Sequence, residues 1–345
     1  MAAPMRIAYF MEDTDLSGGV RVQLAQADAL ITLGHELTII TCGTPLTWRG
    51  SNASWLYVDS FTEVDSAPFD FLVGTFWTTV RPAYDLDPSK VVHLSQGYEG
   101  AFSFYQEQKA LIDAVYSLPI PKLVVSRPLI PILQKFGDDI TFVGQIVDES
   151  FYRSSAASDI EPLRVLLSGP FQIDLKGIDD GYGAVNHARW HGYELDLVRV
   201  SPWGPSGSEP ADLASEFHVA LSTTEMTRLM HSCDILLAPN HHQEGFGLPA
   251  AEAMASGVPV IMTRIPSYLA FDEQQDYALF ANEGDAEGLG DCLMEMLDKE
   301  DLRRTLRKRG REVAEQFREE HVAGRLQEFF LSRRQSREPR KVQAR

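Results

Sequence analysis

Two glutamates, Glu244 and Glu252, stand with seven residues between them, and the turn Gly245-Phe246-Gly247-Leu248 follows the first of them. Pro249 comes next, where proline is favoured in the first turn of a helix, and Gly257 sits where a glycine stops one. The apolar run Ile235–Ala238 lies before the turn, so the segment reads strand, glycine turn, helix. Such a junction points unpaired backbone N–H groups and the positive helix end at one spot, and that spot suits a phosphate. Gly245 and Gly247 let the backbone come close to a ligand. Carboxylates beside a phosphate repel it unless they reach sideways to hydroxyls, and one carboxylate accepts two hydroxyl hydrogen bonds from a ribose or a hexose diol. The chemistry is then phosphate on the amides of residues 245–248, ribose on Glu252 and a further sugar on Glu244. Taken singly, each glutamate is equally an ordinary acid near a helix start.

Other side chains invite the same question. His241 and His242 beside Glu244 suggest a metal, but adjacent loop histidines do not converge on one ion and the ligand set is incomplete. His93, on an apolar strand, reads as a satisfied core residue. Trp203 and Trp77 are candidates for stacking on a base or sugar, with loop packing the plainer reading. Tyr98, Phe102, Phe104 and Tyr105 line either an acceptor groove or an internal contact. Cys42, Cys233 and Cys292 are far apart, odd in number and without metal spacing, which points to a reducing, cytoplasmic setting and away from zinc.

The elements that must position these groups alternate. Residues 6–11 form a strand, 19–33 a helix and 37–41 the next strand, a crossover unit of a parallel sheet. Strands at 69–74, 91–95 and 122–126 and a helix at 106–114 continue the pattern. A polar linker with Ser154, Ser155 and Ser158 follows. A second alternation begins with strands at 164–168 and 195–200, a helix at 182–191 and a punctuated loop at 201–207. It goes on through a helix at 223–232, strands at 235–238 and 260–263, and helices at 249–256, 288–298 and 302–330. The expected fold is α/β, two Rossmann-like doubly wound halves facing across a cleft, with ligands beyond the carboxyl ends of the strands. The domains are expected at 1–155 and 156–315, with a helix at 316–332 returning to the first domain and a disordered basic tail at 333–345.

Bulk numbers narrow the field. The 345 residues suffice for two domains. The net charge of −18 argues against nucleic acid. No apolar run reaches the length of a membrane span, and the first residues lack a secretory signal pattern. The basic tail leaves peripheral membrane or partner contact open.

The run from Glu244 through Glu252 to Ala-Met-Ala-Ser-Gly-Val-Pro-Val resembles the Glu-x7-Glu signature of glycosyltransferase family 4, the group 1 glycosyltransferases with the GT-B fold. The resemblance extends over most of the chain. Gly18-Gly19-Val20 and the run Gly34-His35-Glu36-Leu37-Thr38-Ile39 are similar to the family's glycine loop and second strand. Asp148 with Phe151 resembles the start of the second domain, and Lys176-Gly177 the donor-phosphate lysine. Two departures stand out: Phe171 replaces a frequent arginine, and Gln96 stands where many members have histidine. The run Gln96-Gly97-Tyr98-Glu99, with Tyr105 and Ser126, is similar to a subgroup that includes bacterial rhamnosyltransferases.

The resemblance implies a retaining, metal-independent transfer from a UDP-, GDP- or dTDP-sugar to a glycan or small-molecule hydroxyl, with no cofactor. It makes Glu244 and Lys176 the catalytic pair. Gly18, Gly19, Gly169, Lys176, Glu244, Gly245, Phe246, Gly247, Leu248 and Glu252 become the donor set, and Gln96 and Tyr98 the acceptor side. A sugar-nucleotide epimerase of the same fold and an inactive sugar-nucleotide-binding protein are the alternatives. If Glu252 grips the ribose, Glu252→Ala weakens nucleotide binding, and unchanged affinity in calorimetry would count against it.

Overall fold

A computed structural model describes residues 3–153 and 162–337. The linker serines Ser154, Ser155 and Ser158, the expected boundary at 155/156 and residues 338–345 of the expected tail lie outside the described residues. The chain falls into two compact units. One lies within Met1–Asp15, Gly19–Ile146 and Glu319–Arg345, the other within Leu16–Gly18 and Val147–Arg318.

The first unit is built on seven parallel strands: β1 (Arg6–Met11), β2 (Glu36–Thr41), β3 (Ser54–Tyr57), β4 (Phe71–Gly74), β5 (Val91–Ser95), β6 (Lys122–Val124) and β7 (Ile140–Phe142). Their order is β3-β2-β1-β4-β5-β6-β7. The central strands β4 and β5 are buried along their whole length, as a sheet covered on both faces requires. The helix Gly18–Thr32 buries Val20, Leu24, Ala27 and Leu30. On the other face Phe10, Ile40, Leu72, Val80 and Ala83 share a core. The helix Glu319–Arg337 belongs to this unit. Its Phe330 is fully buried, with its ring 4.9 Å from that of Phe71, and Arg325 Nε donates to the Val143 carbonyl at 2.7 Å.

The second unit has six parallel strands: β8 (Arg164–Ser168), β9 (Asp196–Ser201), β10 (Glu216–Val219), β11 (Ile235–Ala238), β12 (Val260–Thr263) and β13 (Leu279–Ala281). Their order is β10-β9-β8-β11-β12-β13, and β8 and β11 pair through Ile235–Val165, Leu236–Leu166 and Leu237–Leu167. The strand order reverses between these two. Their loops therefore diverge on opposite sides of a crevice at the carboxyl edge, where open α/β sheets bind ligands.

The structure departs from the sequence reading in several ways; the helix Trp77–Leu86, which carries Trp77, was not foreseen. The strands β3, β7, β10 and β13 were not foreseen, because half-exposed edge strands show no clean apolar run. The single helix expected at 302–330 is two, Glu300–Ala314 and Glu319–Arg337. Between them Phe317 turns inward onto Phe246 and Phe271, with ring centroids 5.1 and 5.2 Å away. The expected basic tail starts within the second helix. Arg334 Nη1 donates to the Ala3 carbonyl at 3.0 Å, Arg337 Nη1 to that of Asp70 at 2.9 Å, and Arg333 pairs with Asp139. Residues 333–337 are helical, and their guanidinium groups are tied to two backbone carbonyls and one carboxylate. Among the described residues no helix is long and apolar enough to cross a membrane.

Phe330→Ala removes a buried ring and is expected to cost about 3–5 kcal/mol. Urea denaturation followed by circular dichroism measures it, and a loss below about 1 kcal/mol would show that the helix is not anchored through this ring.

Candidate functional site

The crevice between β8 and β11 holds the predicted groups. After β8 the chain makes a single turn, Asp174–Lys176, and Gly177 enters the left-handed region at φ 59° before the helix Ile178–Trp190. A Cβ on Gly177 would lie 2.0 Å from the Pro239 carbonyl oxygen, so only glycine lets this turn press on the loop after β11. His241 N–H seals the contact by donating to the Leu175 carbonyl at 2.9 Å.

This approach brings Lys176 Nζ to 2.6 Å from Glu244 Oε2. The same oxygen accepts from Asn240 Nδ2 at 2.8 Å. Only 12% of the Glu244 side chain is exposed. Burial works to raise its pKa, yet the Lys176 charge and hydrogen bond, the Phe246 amide and Asn240 together hold it below the usual glutamate value. The site thus keeps a charged carboxylate in a largely dry place, matched by one ammonium.

Gly247 precedes the helix Leu248–Ser256 at φ 88°, and a Cβ there would strike the Tyr268 ring at 2.1 Å. The amides of Gly245 and Gly247 have no acceptor among the described residues, and that of Leu248 opens the helix. The donors needed for an anion therefore lie beside Lys176 and Glu244. Glu252 sits on the buried side of this helix. Gly169, just beyond β8, adopts φ 136°, and a Cβ added to it would touch the Lys176 stem at 3.4 Å. Lys176, Gly169, Glu244, Gly245, Phe246, Gly247 and Leu248 are brought to this one crevice.

Three supports were not foreseen. Arg199 on β9 is fully buried and paired with Glu209 at 2.7 Å. Its guanidinium also donates to the carbonyls of Leu167, Val200 and Gly169, at 2.8, 3.0 and 2.9 Å. It therefore pins the chain at Gly169, just beyond β8. An arginine inside an otherwise apolar strand was the available signal, because such a charge is buried only when fully paired. Asn240 and Tyr268 are the others: Tyr268 Oη donates to Asn240 Oδ1 at 2.7 Å. Nothing in the sequence singles out Tyr268, on a helical turn after β12.

Other candidates resolve differently. His241 Nε2 pairs with Asp180 at 2.9 Å and His242 Nδ1 with Glu283 at 2.8 Å, so the two rings turn to separate acids. No group of three potential metal-ligating side chains occurs among the described residues. Phe171, in the place of the frequent arginine, packs against the core of the second unit. Trp203 is half exposed on the loop after β9.

Gly18, assigned to the second unit, and Gly19, assigned to the first, open a helix, and Gln96 Nε2 donates to the Gly19 carbonyl at 3.2 Å. Tyr98 is buried. Its hydroxyl is bonded to Asp113, and it accepts from Lys109 Nζ at 2.9 Å, so packing rather than a free acceptor-side hydroxyl describes it here. His93 is in the core, but neither ring nitrogen has a partner among the described residues. Burial, with the Lys122 charge, lowers its pKa to about 3, which keeps it neutral. Glu99 accepts from Tyr116 Oη at 2.5 Å, and that hydroxyl also lies 2.8 Å from the Gly97 carbonyl.

Two parallel-sheet Rossmann-like units in tandem are the GT-B architecture. Solved structures agree: HepE of Anabaena, solved in complex with UDP-glucose, matches at TM-score 0.80 with 12% identity over 95% of this chain and 100% of that one. A glycosyltransferase of Rickettsia africae matches at 0.75, with 14% identity over 96% and 99%. Residues 211–313 match the family of glycosyl transferases group 1. N-acetyl-alpha-D-glucosaminyl L-malate synthase of Bacillus anthracis is 33% identical over 106 residues, 30% of this chain and 28% of that protein. MMP alpha-(1->4)-mannosyltransferase of Mycolicibacterium hassiacum is 35% identical over 107 residues, 29% and 26% of the two chains. The family match thus lies within the second unit. The matches to these two curated relatives span less than a third of their lengths.

Burial raises the Glu99 carboxyl to about 7, with the Tyr116 hydrogen bond working the other way. The folded chain therefore keeps a proton that the unfolded chain releases, and stability falls as pH rises from the ordinary glutamate range to about 7. Glu99→Gln should remove that part of the slope. Denaturant titrations at about pH 5 and about pH 8 check it, and an unchanged difference between the two pH values in the variant would refute it.

Proposed function

We propose that this protein is a retaining, metal-independent glycosyltransferase that moves a sugar from a nucleotide-sugar donor to a hydroxyl of a glycan or natural-product acceptor. The Lys176–Glu244 contact beside unpaired amides at a helix start carries the reading. It supplies a cation and backbone donors for a diphosphate, and a carboxylate for sugar hydroxyls, where two loops meet. The bound UDP-glucose of HepE supports a sugar nucleotide as donor.

In this reaction the bond from the anomeric carbon to the leaving phosphate oxygen breaks, and the acceptor oxygen bonds to that carbon on the same face. Negative charge grows on the diphosphate. Lys176 and the amides of Gly245, Gly247 and Leu248 stabilise it from fixed positions, so little reorganisation accompanies the step. The leaving phosphate takes the acceptor's proton. Donor binding must also divide the attention of Lys176 between Glu244 and phosphate, while Asn240 keeps its bond to the carboxylate. Glu252 holds the ribose.

Phe171 favours a second reading, an inactive sugar-nucleotide-binding protein, because it removes one cation from the phosphate's surroundings. Calorimetry with UDP-glucose, GDP-mannose and dTDP-rhamnose, followed by product analysis with glycan and small-molecule acceptors, separates the two. Binding without transfer to any acceptor would support the second. In an assay of transfer, Lys176→Ala is expected to lower turnover by about 100-fold or more, and EDTA to leave the wild-type rate unchanged. Activity lost in EDTA and restored by a divalent ion would overturn the metal-free mechanism.

A further inference from the structure

We infer that Tyr268 and Asn240 are positioning residues that aim the Glu244 carboxylate at the transferred sugar; this rests on the donor reading above. The two side chains and Glu244 form a hydrogen-bond relay with one polarity. Tyr268 Oη donates to Asn240 Oδ1 at 2.7 Å, and Asn240 Nδ2 donates to Glu244 Oε2 at 2.8 Å. Tyr268 and Asn240 are buried, so water does not easily replace either bond. The reverse orientation of the amide would set its carbonyl oxygen against an anionic carboxylate. The tyrosine hydroxyl therefore does more than fill space, because a donor at that point selects the orientation that serves Glu244.

The rest of the surroundings hold the relay still. The Asn240 carbonyl accepts from the Thr263 hydroxyl, and the Tyr268 carbonyl accepts from Tyr277 Oη at 2.6 Å. Burial and then the nearby Glu244 charge raise the Tyr268 phenol well above its usual value, so it keeps its proton at any physiological pH. The same ring lies where a side chain on Gly247 would stand. One tyrosine thus shapes the turn that offers amides and, through Asn240, orients the acid beside it. Lys176 alone cannot do this. A flexible ammonium fixes a distance to the carboxylate but not the rotation of its plane, whereas a second donor on the same oxygen narrows that rotation. Glu244 needs that constraint, since gripping a diol requires its oxygens in a set direction.

The test separates sugar from diphosphate. Tyr268→Phe keeps the ring against Gly247 and loses only the hydroxyl. Asn240→Leu keeps the volume and loses both bonds, and Glu244→Gln is the control. Each is titrated calorimetrically with the sugar nucleotide that the wild type binds, out of UDP-glucose, GDP-mannose and dTDP-rhamnose, and with the matching nucleoside diphosphate. We expect Tyr268→Phe and Asn240→Leu to weaken the sugar nucleotide by about 5- to 20-fold and to leave the diphosphate within about two-fold, with melting temperature and near-ultraviolet dichroism showing that the fold is kept. If one variant does not fold, the other decides. Equal loss of both ligands would mean a damaged loop, and no loss of either would mean no positioning; each overturns the inference while a weakened Glu244→Gln preserves the donor reading. Wild-type affinity in Glu244→Gln, or no binding of any sugar nucleotide to the wild type, would instead remove the donor reading itself, and the inference with it.

Discussion

Lys176 and Glu244 lie 2.6 Å apart, on two loops that reach the same point only because Gly177 has no side chain. Much of the second unit can be understood from what this contact needs. A carboxylate and an ammonium removed from water lose several kcal/mol of hydration each, so the pair persists only where further donors and a firm backbone support it. Asn240 and the Phe246 amide supply the donors. Arg199 supplies much of the firmness, by tying the ends of β8 and β9 to Glu209. That deeper ion pair is fully enclosed and has no exposed face to offer a ligand; its contribution is to hold the chain at Gly169.

The absence of an arginine at position 171 looks different in this light. The family resemblance makes Phe171 a loss of charge, and the structure makes it a gain of packing, since its ring rests on the core under the helix Ile178–Trp190. The cation that does stand near Gly169 is Arg199. It is spent on carbonyls and on Glu209, so it acts on backbone geometry and leaves Lys176 as the side-chain cation paired to Glu244. The first unit shows a related economy. Glu99, Tyr116 and the Gly97 carbonyl form a closed polar group beneath the loop that carries Gln96, and Tyr98 is drawn down into packing with Asp113 and Lys109.

Legibility followed burial pattern. Strands that are apolar throughout, such as β1, β8 and β11, appear in the sequence as uninterrupted runs, and the helix Gly18–Thr32 shows its spacing plainly. The edge strands β3, β7, β10 and β13 do not, because half-exposed residues carry no fixed pattern. Helical spacing continues through the break at Phe317, where the rings of Phe246 and Phe271 pack on that side chain. The arginines at 333, 334 and 337 read as a solvated tail because charge is all that composition reports, whereas their partners are the Asp139 carboxylate and backbone carbonyls far away in sequence.

By itself the sequence determined the alternation of strands and helices, the two-unit α/β architecture and the glycine turn flanked by Glu244 and Glu252. These are set by local chemistry: apolar period, proline and glycine at helix ends, and residues close together along the chain. Only the tertiary structure decided that Lys176 meets Glu244, that Arg199 pins Gly169, and that Tyr268 reaches Asn240. Those partners are separated by between 28 and 68 positions, and they meet because parallel strands bring the ends of distant segments to one edge of a sheet.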